Sequence, residues 1–136
     1  MKDSGGPVDG RSYDYDANWS ETDIPESKRI NRETAERCLF FLAGSSEAHA
    51  AWAARRRFLD KYAGIVLAME ESKQQTGSAA DRTRIAKRSV AYMKVLRDVE
   101  EAVYHETLLA GLRAAAEKKF SGWQTLNANA RTGVNI

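Results

Sequence analysis

The sequence predicts an all-α protein: a long antiparallel helical hairpin with two shorter helices, preceded by a disordered or extended acidic tail. Three observations carry this expectation. Proline occurs twice in 136 residues and β-branched runs are scarce, which favours helix. Two stretches, 46–75 and 90–127, pass without a proline and keep a helix-like apolar period. Charge is split along the chain. Residues 1–25 carry two basic and six acidic side chains, a charge of −4, so the rest carries +6 of the total of +2.

Residues 1–25 form the acidic aromatic tail. They mix Gly, Ser, Asp and Pro without helical period, yet Tyr13, Tyr15 and Trp19 alternate with Asp14, Asp16 and Glu21 and give the tail apolar area with which to dock. A helical domain spans 26–131, and 132–136 is a C-terminal tail. The first helix is expected from Pro25 to Ala43, with Gly44 as its stop. Ser45 and Ser46 would then cap a second helix that runs to about Gln75 and ends at Gly77. Its roughly 30 residues would reach about 45 Å and require an equally long partner. Its seam reads as Trp52, Leu59, Tyr62, Val66 and Met69, interrupted at Arg55.

Ser78 with Asp81 resembles a capping box and starts a short third helix near Ala79. Ser89 is placed to cap a fourth, from Val90 to about Asn127, with Tyr92, Leu96, Val99 and Val103 as one stripe and Leu109, Leu112, Ala116, Phe120 and Trp123 continuing it. Isolated Gly111 and Gly122 cost only about 1 kcal/mol each and need not end it.

Few residues invite catalysis. His49 and His105 lie on different helices outside any metal-binding motif, the single Cys38 sits in an apolar run, and the glycine turns lack a phosphate-loop Gly-Lys-Ser/Thr. Neighbouring carboxylates such as Glu70 and Glu71 point to different sides of a helix. No enzyme activity, metal or cofactor is expected. No stretch approaches the roughly 20 apolar residues of a membrane span, nor does the start of the chain resemble an export signal, so a cytoplasmic setting without membrane contact is expected.

Positive charge is the stronger signal. Arg82, Arg84, Lys87, Arg88, Lys94 and Arg97 fall in a window of 16 residues without one acid, and Arg55, Arg56, Arg57 and Lys61 form a second group. Lys and Arg are what neutralise a phosphate backbone, and a purely structural surface usually mixes signs. The plain alternative is a solvated helix face. Tyr92 could stack on a base, but its place in the stripe marks it as core. The acidic tail is expected to compete with nucleic acid for the basic surface or to reach a partner protein. Phe40, Phe41, Trp52, Phe58, Phe120 and Trp123 offer more apolar surface than one seam covers, so further copies or another protein should pack on it.

The order of a long helix, a Gly-Ser turn, a short charged helix and a second long helix, with the ending Gly122-Trp123-Gln124-Thr125-Leu126-Asn127-Ala128-Asn129-Ala130-Arg131, resembles the UvsY-type recombination mediators of tailed phages and related small helical phage proteins. The likeness covers about residues 46–131. It implies a ring-like homo-oligomer that binds single-stranded DNA and helps load a recombinase or annealing protein onto strands covered by single-strand binding protein. Where the mediators place basic residues before the turn this chain has Glu70 and Glu71, and where related proteins have Trp-Arg it has Trp123-Gln124, which shifts the expected DNA site toward Arg82–Arg97. A second reading, from the apolar hairpin face and the tail, is a phage protein–protein adaptor or an inhibitor of a host system.

Overall fold

A computed structural model describes residues 30–132, which form three helices: α1 (Arg32–Ser72), α2 (Ala79–Lys87) and α3 (Val90–Arg131). The fold is all-α, two long helices running antiparallel with a short one between them in sequence. The tail aromatics Tyr13, Tyr15 and Trp19 lie outside the described residues.

Helix α1 begins where Asn31 caps it: the Asn31 carboxamide oxygen accepts from the Thr34 N–H at 2.8 Å and from its hydroxyl at 2.9 Å. The expected stop at Gly44 does not occur. The first two expected helices are one helix of 41 residues, and Gly44, Ser45 and Ser46 lie in its interior. Each serine is accommodated there. Ser46 donates its hydroxyl back to the Leu42 carbonyl at 2.8 Å, and Ser45, fully buried, accepts from the Arg113 guanidinium at 2.8 Å. Tertiary packing thus overrides a local sequence that reads as a turn. At the other end α1 finishes at Ser72, a few residues before the expected Gln75, in tightened i→i+3 bonds from Lys73 N–H to Glu70 O and from Gln74 N–H to Glu71 O.

The turn and the second start follow the sequence closely. Gly77 has φ +97°, a conformation that side chains with a Cβ rarely adopt. Ser78 caps α2 by accepting from the Asp81 N–H at 3.1 Å, and Ser89 caps α3 by accepting from the Tyr92 N–H at 3.1 Å. Helix α3 continues four residues past Asn127, to Arg131, straight through Gly111 and Gly122.

The seam differs from the expected one in which residues it buries. Along α1 the buried positions Cys38, Ser45, Trp52, Leu59 and Val66 recur every seventh residue, as do Val95, Ala102, Leu109 and Ala116 along α3. A strict seven-residue repeat keeps one narrow stripe of each helix toward its partner. Tyr62, Met69 and Leu96, expected in the seam, are 40%, 53% and 39% exposed, and Ala63 and Val95 are buried instead. Small residues at the contact let helix axes come close, so the larger neighbours are left beside the seam.

The chain divides into two packed units. In residues 50–106, Ala63, Val66 and Val95 form a core against which Tyr92 and Val99 pack, and Trp52 lies on His105 with ring centres 4.3 Å apart. In the second unit, residues 30–49 and 107–132, Ala35, Cys38, Phe41, Ser45 and Ala48 of α1 are buried, as are Leu109 and Ala116 of α3. Ile30 closes that unit by lying against Gly122, where its Cδ1 is 3.2 Å from the position a Cβ would take.

Candidate nucleic-acid interface

Both basic groups belong to the unit of residues 50–106. Ala86 is the fully buried residue of α2, which fixes the orientation of that helix. Arg84 and Arg88 stand two residues to either side of it and therefore point away from the core, and Lys87 lies on the same exposed half. Arg82 is four residues before Ala86 and falls on the inner side. It is half-buried, and its guanidinium donates to the Gly77 carbonyl at 2.8 Å, so it braces the turn. The shallow cleft of about 240 Å³ beside it is lined by Glu71, Ser72, Ala79, Arg82 and Thr83. Glu71, which accepts a hydrogen bond from the Thr83 hydroxyl, makes that cleft a poor anion cradle.

The window from 82 to 97 contains no acid, but the helical period folds acids onto it from just outside. Arg84 pairs with Asp81 at 2.7 Å and Lys94 with Asp98 at 3.0 Å. These are exposed i,i+3 and i,i+4 pairs, which contribute little to stability and open readily toward a phosphate. Lys87, Arg88 and Arg97 are exposed and make no ion pair among the described residues. Asp81 is drawn well into its ionised form: the Ser78 hydroxyl, then the Arg84 guanidinium and the Ser78 N–H, hold its carboxyl below the ordinary range.

The second group is less uniform. Arg56 donates to Glu106 of α3 at 2.8 Å and lies 3.9 Å from Asp60. The hydrogen bond to Glu106, then its charge, holds the guanidinium even more firmly protonated. Arg55 is half-buried, and Arg57 and Lys61 are exposed. One member of each group, Lys61 and Arg97, is set apart by helical phase. Lys61 lies two residues from both Leu59 and Ala63, and Arg97 two residues from both Val95 and Val99, so each points directly away from the seam on its own side of the helix pair. Tyr92, half-buried against the core cluster, is a packing residue and not a free stacking platform.

Two further polar features lay beyond the reach of sequence reasoning. The contact of Arg56 with Glu106 joins positions 50 residues apart, and Arg113 bonds across to the Leu42 carbonyl at 2.6 Å and to Ser45. Arg113 stands alone in an alanine-rich stretch, and only the seven-residue spacing of Ser45 from Cys38 and Trp52 hints that a polar seam position awaits a partner.

Among the described residues no group of three or more His, Cys, Asp or Glu side chains is placed to hold a metal ion, and no helix is long and apolar enough to cross a membrane. No known protein family, curated protein or solved structure matches the chain.

Proposed function

We propose that the chain is a non-enzymatic, single-stranded-DNA-binding protein of the recombination-mediator kind, acting as a homo-oligomer that helps load a recombinase or annealing protein. The supporting observation is the exposed basic surface of α2 and early α3. Lys87, Arg88 and Arg97 stand without ion pairs among the described residues, and Arg84 and Lys94 are held only by exposed acids at the margins. Arg82 contributes charge from its place at the turn, and Arg55, Arg56, Arg57 and Lys61 are secondary contacts. In a homo-oligomer the patch is repeated, so a strand held by one copy meets the next at high effective concentration.

Titration of a labelled single-stranded oligonucleotide at two salt concentrations, with the mass in solution recorded, tests this reading. Binding that weakens steeply with salt is expected. Absence of binding at low salt would overturn it. A second reading, a protein–protein adaptor or an inhibitor of a host system, is favoured by the large apolar side chains left in solvent, Phe40 and Phe58 among them, at 76% and 61% exposed. It gains if oligonucleotides fail to bind.

A further inference from the structure

Lys119 of α3 is 3% exposed, and among the described residues no other lysine or arginine is buried. It stands three residues after Ala116, itself fully buried, so it lies on the inner side of the helix. Lysine is almost never enclosed in this way unless it is paired, because an ammonium group taken out of water needs a counter-charge in place of its hydration. The acids of the same unit, residues 30–49 and 107–132, look outward. Glu33, Glu36, Glu47 and Glu117 are all exposed, Glu36 faces Arg32 at 3.7 Å, and Glu117, two residues from Lys119, points about 200° away around α3.

We propose that Lys119 anchors the acidic segment 21–26 of the same chain, through an ion pair with a carboxylate of Glu21, Asp23 or Glu26. Three observations select this occupant. The first is where the chain enters the unit: Ile30 lies against Gly122, with its Cδ1 3.2 Å from the place of an added Cβ. Gly122 is three residues from Lys119, on the same face of α3 and about 4.5 Å further along its axis. Reach is the second. An extended chain covers at most about 3.3–3.6 Å per residue, so Glu26, four residues before Ile30, has about 14 Å of backbone to spend and Asp23, seven residues before it, about 25 Å. The third is charge. Residues 21–26 carry Glu21, Asp23 and Glu26 and no basic residue. The acidic tail is thereby held at its C-terminal end by the unit of residues 30–49 and 107–132, whereas both basic groups belong to residues 50–106. The carboxylate on Lys119 is not available to compete with nucleic acid for those groups. The inference does not rest on the DNA reading.

Limited trypsin digestion of the full chain tests it, because a bond after Lys28 or Arg29 is cut only when the segment around it lifts away from the fold. Lys119→Met keeps the length of the side chain and removes its charge. With helix content by circular dichroism unchanged, it should speed cleavage after Lys28 and Arg29 by about tenfold or more, since the carboxylate loses its buried partner. The triple variant Glu21→Gln, Asp23→Asn, Glu26→Gln should speed the same cleavage by a similar factor, and combining it with Lys119→Met should add almost nothing. Restoring the three acids one at a time then identifies the partner. Unchanged cleavage in the triple variant overturns the anchor, and so do effects that multiply when the two sets are combined. If Lys119→Met loses helix content, the triple variant decides alone, because its substitutions lie outside all three helices. None of these readouts involves an oligonucleotide, so failure of the anchor and failure of the DNA reading are separately visible.

Discussion

Arg113 bonds across to α1 at the point where the local sequence reads as a helix end. Gly44-Ser45-Ser46 reads as a stop followed by a cap, but a buried serine hydroxyl that accepts from a guanidinium, and a carbonyl that accepts from both Arg113 and Ser46, turn the same residues into a polar clamp inside α1. Arg113→Met would leave the buried Ser45 short of its partner, and urea unfolding should register a loss of about 1–3 kcal/mol. Adding Ser45→Ala should recover much of it, since removing both partners of a buried bond costs less than removing one. No recovery in the double variant would show that Arg113 acts through its bond to Leu42 alone. Asp81 offers a second residue-level outcome, in pH. Its carboxyl is held below the ordinary range, chiefly by the Ser78 hydroxyl, so its contribution to the start of α2 is present above the usual carboxylate value of about 3.9 and is lost as pH falls through the lowered value. An NMR titration should place the Asp81 midpoint below that of an unstructured aspartate, and Ser78→Ala should move it back up. A midpoint indifferent to Ser78→Ala would refute the assignment of cause.

At the level of the element, the glycines separate the two roles that the sequence alone confounds. Gly44 and Gly111 lie inside long helices, exposed, with nothing within 4 Å of an added Cβ. Gly44→Ala and Gly111→Ala should each stabilise the protein by about 0.5–1 kcal/mol, raising the melting temperature by a few degrees. If Gly44→Ala instead destabilises, the helix breaks where the local sequence suggested. Gly77, at φ +97°, should behave in the opposite way, and Gly77→Ala should cost about 1 kcal/mol or more, part of it from Asp81 Cβ at 3.3 Å. The elements legible in the sequence were those with local causes: the Ser78 and Ser89 caps, the Gly77 turn, and the long uninterrupted run of α3. The exact seam was not legible. Choosing the largest apolar residue on each turn selected Tyr62, Met69 and Leu96, whereas close packing of two helices is decided by how near the backbones can come, and that favoured Ala63 and Ala102.

For the whole molecule the distribution of charge matters more than its total. The window from Arg82 to Arg97 is conspicuous in the sequence, but the sequence does not show that Asp81 and Asp98 bend onto its ends, that Arg82 turns inward to Gly77, or that Lys61 and Arg97 face opposite ways. Those facts depend on helical phase and on which residue of α2 is buried, and they set what the proposed DNA binding would have to displace. A strand lying along α2 and early α3 meets Lys87, Arg88 and Arg97 without displacing any acid, whereas reaching Arg56 means competing with both Glu106 and Asp60. Counterion release from single-stranded DNA lowers log K by about 0.7 per phosphate neutralised for each tenfold rise in salt. Replacing Lys87, Arg88 and Arg97 by alanine should therefore flatten the salt slope by about 2 and weaken binding at low salt, while Arg56→Ala should change the slope by less than one contact's worth and act mainly through lost contact with α3. Fluorescence anisotropy across a salt series separates the outcomes. Equal effects from the two sets would mean that binding follows net charge and not the exposed face of α2, and the site would then have to be sought along both sides of the helix pair.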